Sequence, residues 1–290
     1  MTAFLIHIVV TWLIFGIMSL GLKFFLKLKG ALDFSYMAIV IFSAYVAALA
    51  NISWWWWILA STGFAILVSF VFTGLVLKLS SKLSDVYFFV GSFSLYVLCF
   101  QLAYNLESLT GWALWLGGIQ RNLVWSLQLW SNEWFGLLII IICALLLLWL
   151  WWFKRSYFYM VLRGWGERAL IIKSLGVRVS FYTFILIAVT TILAAIGGSL
   201  YSFYYLYIDP PSFWYYLLVL LLIISFVSYG VNDSYTLLIA IAVVLFYEFL
   251  RFFKVVDPSL IWYSRDIVLS VMMIAVILMV FKKIEFGRQT

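Results

Sequence analysis

The sequence predicts an all-α, polytopic membrane protein, a bundle of about nine transmembrane helices joined by short loops. Three observations carry that expectation. Of 290 residues, 67% are hydrophobic and only 10% charged, whereas a soluble domain carries about 25% charged residues. So few charges cannot cover a water-facing surface. Several apolar runs reach the roughly 20 residues that cross a bilayer at about 1.5 Å per residue. Finally, the basic residues flank the apolar runs, where topology rules place them. The net charge of +7 is therefore matched to anionic headgroups or an acidic partner and does not indicate nucleic acid binding.

The runs are expected at 3–22, 34–50, 54–77, 86–104, 135–153, 181–205, 213–229, 235–253 and 266–282. The start MTAFLIHIVVTWLIFG passes directly into a full span without a basic leader, so no cleavable signal is expected. Gly230-Val231-Asn232-Asp233-Ser234 has turn chemistry and divides two short spans rather than interrupting one long helix. Cys99 and Cys143 both fall inside apolar runs, as small core residues rather than a disulfide or a metal pair. Tryptophans mark the interfaces: Trp54 to Trp57 at one end of the third run, and Trp149, Trp151 and Trp152 at the opposite end of the fifth.

Charge sets the expected orientation. With the N-terminus outside, fourteen of the eighteen Lys and Arg lie inside, including Lys23, Lys27, Lys29, Lys78 and Lys82. Arg121, Arg251, Lys254 and Arg265 fall outside. The bias favours N-out, C-in. The three at 251–265 run against it, with Glu248, Asp257 and Asp266 as nearby partners.

The chain reads as one transmembrane domain, 1–290, with two polar interruptions. The inner loop 154–178 holds six basic residues. Gly164-Trp165-Gly166 is expected to break the chain there. Glu167 to Leu175 then has the length of about two helical turns, with Arg168 and Lys173 on its polar side, and Gly176 is suited to a left-handed cap. Two readings stay open: a lever seated in a groove of a soluble partner, or a solvated basic loop that serves topology alone. The outer segment 105–134 is too long for a turn and too polar to span. Its alternation around Ser126 and Gln128 suits a strand or an interfacial helix. Docking of an external partner through Glu107, Arg121 and Glu133 and a plain membrane cap are both compatible with it.

No GxxxxGK[ST], GxSxG, HExxH or CxxC occurs, and His7 is the single histidine, so neither nucleotide chemistry nor catalysis is expected on this chain. Polar groups inside apolar runs are costly unless used. Asp33, Phe34, Ser35 and Tyr36, with Ser43 and Ser92, are thus candidates for an interior passage or its inner gate. Interhelical hydrogen bonding is the competing reading.

From the inner loop onward the chain reads Leu175-Gly176-Val177, then Ala194-Ala195-Ile196-Gly197-Gly198-Ser199-Leu200-Tyr201, then Pro211-Ser212-Phe213. In these motifs it resembles the permease subunits of branched-chain amino acid-type ABC importers. Earlier matches are Gly30-Ala31-Leu32-Asp33-Phe34-Ser35-Tyr36 with Ser43-Ala44-Tyr45, Asp85-Val86-Tyr87-Phe88, and Leu109-Thr110-Gly111 with Gly117-Gly118-Ile119. Later ones are Glu248-Phe249-Leu250-Arg251 and Arg265-Asp266-Ile267. The order is collinear over about residues 20–282. Where the family often has glycine near Ile41 and Ser43, this chain has bulkier residues.

The resemblance implies a non-catalytic transmembrane subunit of an ATP-driven importer for a small polar solute, such as an amino acid or an amide- or urea-like compound. It implies a multi-pass inner-membrane location. It implies a second permease subunit, two ATPase subunits carrying the ATP and magnesium, and an external solute-binding protein. Arg163, Gly164, Glu167, Arg168, Lys173 and Gly176 would couple to the ATPase, and 105–134 would seat the binding protein. A secondary carrier or channel without an ATPase, and a non-transporting scaffold, are the alternatives. Midplane carboxylates that would suit a coupled carrier are not evident.

Overall fold

In the computed structural model the described residues are 2–54, 58–82, 85–106, 116–120, 122–124, 127–128, 132–174, 176–250, 267–275 and 278. Nine named helices run through them in order. They are α1 (Thr2–Lys29), α2 (Ser35–Trp54), α3 (Ile58–Lys82), α4 (Asp85–Asn105) and α5 (Asn132–Lys154). Then follow α6 (Tyr157–Ser174), α7 (Val179–Tyr205), α8 (Tyr215–Val227) and α9 (Asp233–Leu250). Residues 267–275 are helical as well.

Seven segments among the described residues are long and apolar enough to cross a membrane, from Ile6–Lys29 to Pro210–Val227. They match the first seven expected runs. The eighth corresponds to α9, whose apolar part is the shorter Tyr235–Phe246, and much of the ninth lies outside the described residues. The chain turns between α8 and α9 over 228–232, and Asp233 and Ser234 of the expected turn 230–234 already open α9.

Three helices make the centre. α1, α2 and α7 are buried along most of their length, whereas α3, α4 and α5 are buried along only about a third. α7 packs between α1 and α2 and also against α3, while α1 further contacts α5, α8 and α9. Small residues explain why α7 holds this place. A Cβ added at Gly198 would lie under 3.0 Å from the Val40 carbonyl oxygen and from Ser43 Oγ, and one at Gly197 equally close to Met18. The close approach of α2 and α7 is thus granted by glycine on α7, although α2 itself carries Ile41 and Ser43. Gly21 does the same on α1, lying against the Tyr36 ring.

The outer helices present apolar side chains outward at helical spacing. Leu67, Val71 and Leu75 do so on α3, and Leu137, Ile141, Leu145 and Leu148 on α5. Water would not tolerate such faces over this area, and hydrocarbon would. Several hydroxyls inside the bundle are satisfied locally. Ser43 donates to the Val40 carbonyl at 3.0 Å, Ser199 to Ala195 at 2.7 Å and Ser225 to Leu221 at 2.7 Å. Others tie helices together: Ser225 also donates to the Ser19 carbonyl of α1 (3.1 Å), and Thr73 of α3 meets Thr191 of α7 (3.0 Å). Cys99 and Cys143 are buried and unpaired.

The segment after α4 forms short strands where it is described. β1 (Leu116–Gly117) pairs antiparallel with β4 (Tyr207–Ile208), just beyond α7, and β2 (Asn122–Val124) pairs with β3 (Leu127–Gln128). Of the two forms open to 123–129, the strand is the one seen at its described residues, 123–124 and 127–128. Asn51 clamps the segment to α2: its side chain donates to the Gln120 carbonyl at 3.2 Å and accepts from the Gln120 N–H at 2.8 Å. Leu206, at φ 61°, turns the chain from α7 into β4. Pro210–Phe213 then forms a 3-10 turn into α8, at the start of the apolar segment Pro210–Val227. Proline suits this first turn because it has no N–H to leave unbonded.

Two expectations are corrected. The first span does not end near residue 22, because α1 continues to Lys29 and is stopped by Gly30 at φ 73°. Lys23, Lys27 and Lys29 therefore sit on helix rather than loop. Nor do Gly164 and Gly166 break the inner loop, since α6 runs unbroken through them. A helix glycine costs only about 1 kcal/mol, and flanking residues such as Met160, Leu162, Arg163 and Ala169 favour helix.

Candidate functional site

The polar residues expected along a passage gather at the start of α2. Asp33 is buried, with 3% of its surface exposed. Its carboxylate accepts from the Ser35 backbone N–H at 2.9 Å and from the Ser35 hydroxyl. An acidic cap of this kind satisfies N–H groups the helix cannot bond itself. Burial pushes the Asp33 carboxyl up to about 6, against the lowering effect of these hydrogen bonds and of Lys29. The Phe34 N–H donates to Ser92 Oγ of α4 at 3.2 Å, which joins α2 to α4 at this end.

Tyr36 points the other way and donates to the Met18 carbonyl of α1 at 2.6 Å. Ser43 lies two turns further on, against Gly198, and is not part of the cluster. Beside Asp33, a hollow lined by Leu22, Leu32, Phe34, Met37, Leu218 and Leu222 has no room for a water molecule. The bundle is closed here.

The same end of the bundle carries a charge cluster that the sequence reading did not single out. Lys23 of α1 is 1% exposed. All three of its ammonium donors are used: the Val231 carbonyl at 2.9 Å, Thr236 Oγ1 at 2.7 Å and Asp233 Oδ1 at 3.3 Å. The other oxygen of Asp233 meets Lys154 Nζ at 2.5 Å. One carboxylate at the first turn of α9 thus fastens α1, α9 and the last turn of α5. Its place also favours it, since a helix N-terminus stabilises negative charge and a C-terminus positive charge. A carboxylate in the short turn between two apolar runs, opposite a lysine inside another, is the signal that could have revealed it. Assigning Lys23 to a loop hid it.

α6 begins at this clasp. Ser156 turns the chain by donating to the Phe153 carbonyl at 2.6 Å. The Tyr159 ring packs on Phe24 of α1 and Phe153 of α5, with centroids 6.3 and 6.2 Å apart. Phe158 packs on Phe181 and Tyr182 of α7. The helix is therefore attached to both central elements, α1 and α7. Arg163 is exposed, and Gly164 is an ordinary helical residue. Glu167, Arg168 and Lys173 lie on the helix backbone, and their side chains are outside the described residues. Gly176 adopts φ 75°, the left-handed cap its position suggested. Glu107 and Arg121 are also outside the described residues. Glu133 falls in the first turn of α5, its side chain likewise not described.

The cross-contacts agree on sides. Lys23, Lys154 and Asp233 meet at one end of the bundle, and Asn51 with Gln120, and Leu116 with Ile208, meet at the other. That is the alternation which the span order requires.

The chain is thus a helical bundle with apolar outer faces, a closed hollow beside Asp33 and a polar helix hung from the same end. The family model described as the branched-chain amino acid transport system permease component matches residues 4–277, and the chain belongs to this family. A comparison with curated proteins finds no match.

Proposed function

We propose that this chain is the transmembrane subunit of an ATP-driven importer for a small polar solute, an amino acid or an amide- or urea-like compound. It would pair with a second permease subunit, work with two ATPase subunits inside, and receive solute from a binding protein outside. The observation that carries this reading is α6. It is too polar to span, it lies between two apolar spans, and its aromatic residues are packed on α1 and α7.

Nucleotide-driven closure of the ATPases would push on α6 through Arg163, Gly164, Glu167, Arg168, Lys173 and Gly176. Phe158 and Tyr159 would pass that displacement to the central helices. Asp33, Phe34, Ser35, Tyr36, Ser43 and Ser92 would lie along the route that opens, with the closed hollow beside Asp33 as its inner gate. The outer segment, pinned by Asn51 and by β4, would form the platform for the binding protein through Glu107, Arg121 and Glu133. In the expected span order fourteen of the eighteen basic residues fall on the α6 side, which supports an inner location for α6 with an outer N-terminus and an inner C-terminus.

The test is the double variant Arg163→Ala/Glu167→Ala in the assembled, reconstituted transporter. Uptake per ATP hydrolysed is expected to fall about tenfold, equivalent to roughly 1.4 kcal/mol of lost coupling, or the ATPase subunits dissociate on purification. Normal ATPase retention together with normal uptake would sink the assignment.

A further inference from the structure

Where α1, α5, α6 and α9 meet, the described residues place one carboxylate among three ammonium groups. Lys23, Lys27, Lys154 and Asp233 line a single hollow, which has no room for a water molecule. Asp233 bonds Lys23 through Oδ1 at 3.3 Å and Lys154 through Oδ2 at 2.5 Å. The two bonds are not alike. Lys23 is fully buried and also held by Val231 and Thr236. Lys154 is 28% exposed. It is the last residue of α5, and α6 begins three residues later at Tyr157. Lys27 is exposed and makes no ion pair among the described residues. It follows Lys23 by one turn on the same face of α1. There it feels the attraction of Asp233 and the repulsion of Lys154 and Arg163.

We propose that Asp233 is the shared half of a two-position catch on α6. In the structure it holds Lys154, and with it the start of α6. When α6 moves away from α1, the same carboxylate oxygen passes to Lys27, while Lys23 keeps the other. The number of ion pairs is then the same in both positions. They differ by little energy, as a bistable element requires. A bridge that broke without exchange would leave Asp233 half paired in a mostly buried place, at a far higher cost. The exchange also relieves the repulsion that Lys154 and Arg163 exert on Lys27. Under the transport reading this is the catch that lets go when the ATPases move α6. The exchange itself is a property of the chain alone, so it can fail while that reading stands.

The test is the thermal midpoint of the purified full chain, measured for two single variants and their double. Lys27→Gln alone removes an unpaired cation from among cations, so the midpoint should stay or rise slightly. Lys154→Gln should lower it only a little, because Lys27 takes the vacated oxygen. Lys27→Gln added to Lys154→Gln should instead lower it further, with a loss of up to about fivefold in the folding equilibrium, the size of a partly exposed ion pair. An equal effect of Lys27→Gln in the two backgrounds would overturn the exchange. Spin labels at the exposed positions Met160 of α6 and Tyr235 of α9, in a Cys99→Ala/Cys143→Ala background, read the movement. Lys154→Gln should enlarge a longer-distance population, and Lys27→Gln should not. An unchanged distance distribution in Lys154→Gln, or a shift to longer distances in Lys27→Gln, would overturn the catch on α6.

Discussion

Asp233→Ala is expected to destabilise the protein by about 3–5 kcal/mol, the range found when one partner of a buried ion pair is removed. Lys23 is 1% exposed and would remain with an ammonium group and no counter-charge. Lys154 would lose its carboxylate as well, so the ends of α1, α5 and α9 would be released together. The thermal midpoint of the purified chain should drop steeply, or the protein should fail to accumulate in the membrane. Lys154→Ala is expected to cost far less, about 1 kcal/mol or under, because its side chain is 28% exposed and water can solvate what remains. The paired variant Lys23→Met/Asp233→Leu separates charge from packing. Replacing both partners by apolar groups removes the unpaired charge, so it should recover most of the stability lost in Asp233→Ala. A paired variant as unstable as Asp233→Ala would show that the clasp is not the source of the loss.

The second large effect is expected at Gly198. A Cβ there would fall under 3.0 Å from the Val40 carbonyl oxygen, which is backbone and cannot swing aside. α2 and α7 must then separate, which opens the most closely packed pair in the centre of the bundle. Gly198→Ala should cost about 1–3 kcal/mol, in the range of overpacked cores, and Gly198→Leu should prevent accumulation of folded protein. Gly63 of α3 is the control. Nothing lies within 4 Å of a Cβ added there, so Gly63→Ala should be neutral or stabilising by up to about 1 kcal/mol. Expression and thermal midpoints of the three variants check the contrast. Equal behaviour at positions 198 and 63 would contradict this account of the helix contact.

Much of this architecture is legible in the sequence because a bilayer enforces it. Apolar length alone locates the first seven spans, since an unsatisfied backbone cannot cross hydrocarbon. The turn between α8 and α9 is legible because Gly230 and Asn232 disfavour the interior of an apolar helix. Helix ends are less legible. α1 runs seven residues past its expected end at residue 22 to Lys29, because a lysine can continue a helix when its ammonium finds partners. Those partners, Val231, Asp233 and Thr236, are more than two hundred residues away, and local composition does not report them. Gly164 and Gly166 mislead for the converse reason. Glycine breaks a helix only when its neighbours do not favour one, and here they do.

The candidate residues divide in the same way. Asp33, Phe34, Ser35 and Ser92 are found together, as polar groups in an apolar setting must be. Tyr36 and Ser43 are buried nearby but serve other contacts, Tyr36 on Met18 and Ser43 on Val40 and Gly198. Hydropathy marks a residue as anomalous. Only the fold tells which neighbour resolves the anomaly.

The proposed function requires α6 to touch an ATPase subunit on the inner side of the membrane. A photo-crosslinking residue in place of Arg168, in the assembled transporter in native membranes, tests it most directly. The account predicts an adduct between this chain and an ATPase subunit, with a yield that changes when nucleotide is added. Adducts confined to this chain and to lipid, or to a protein on the outer side, would contradict it.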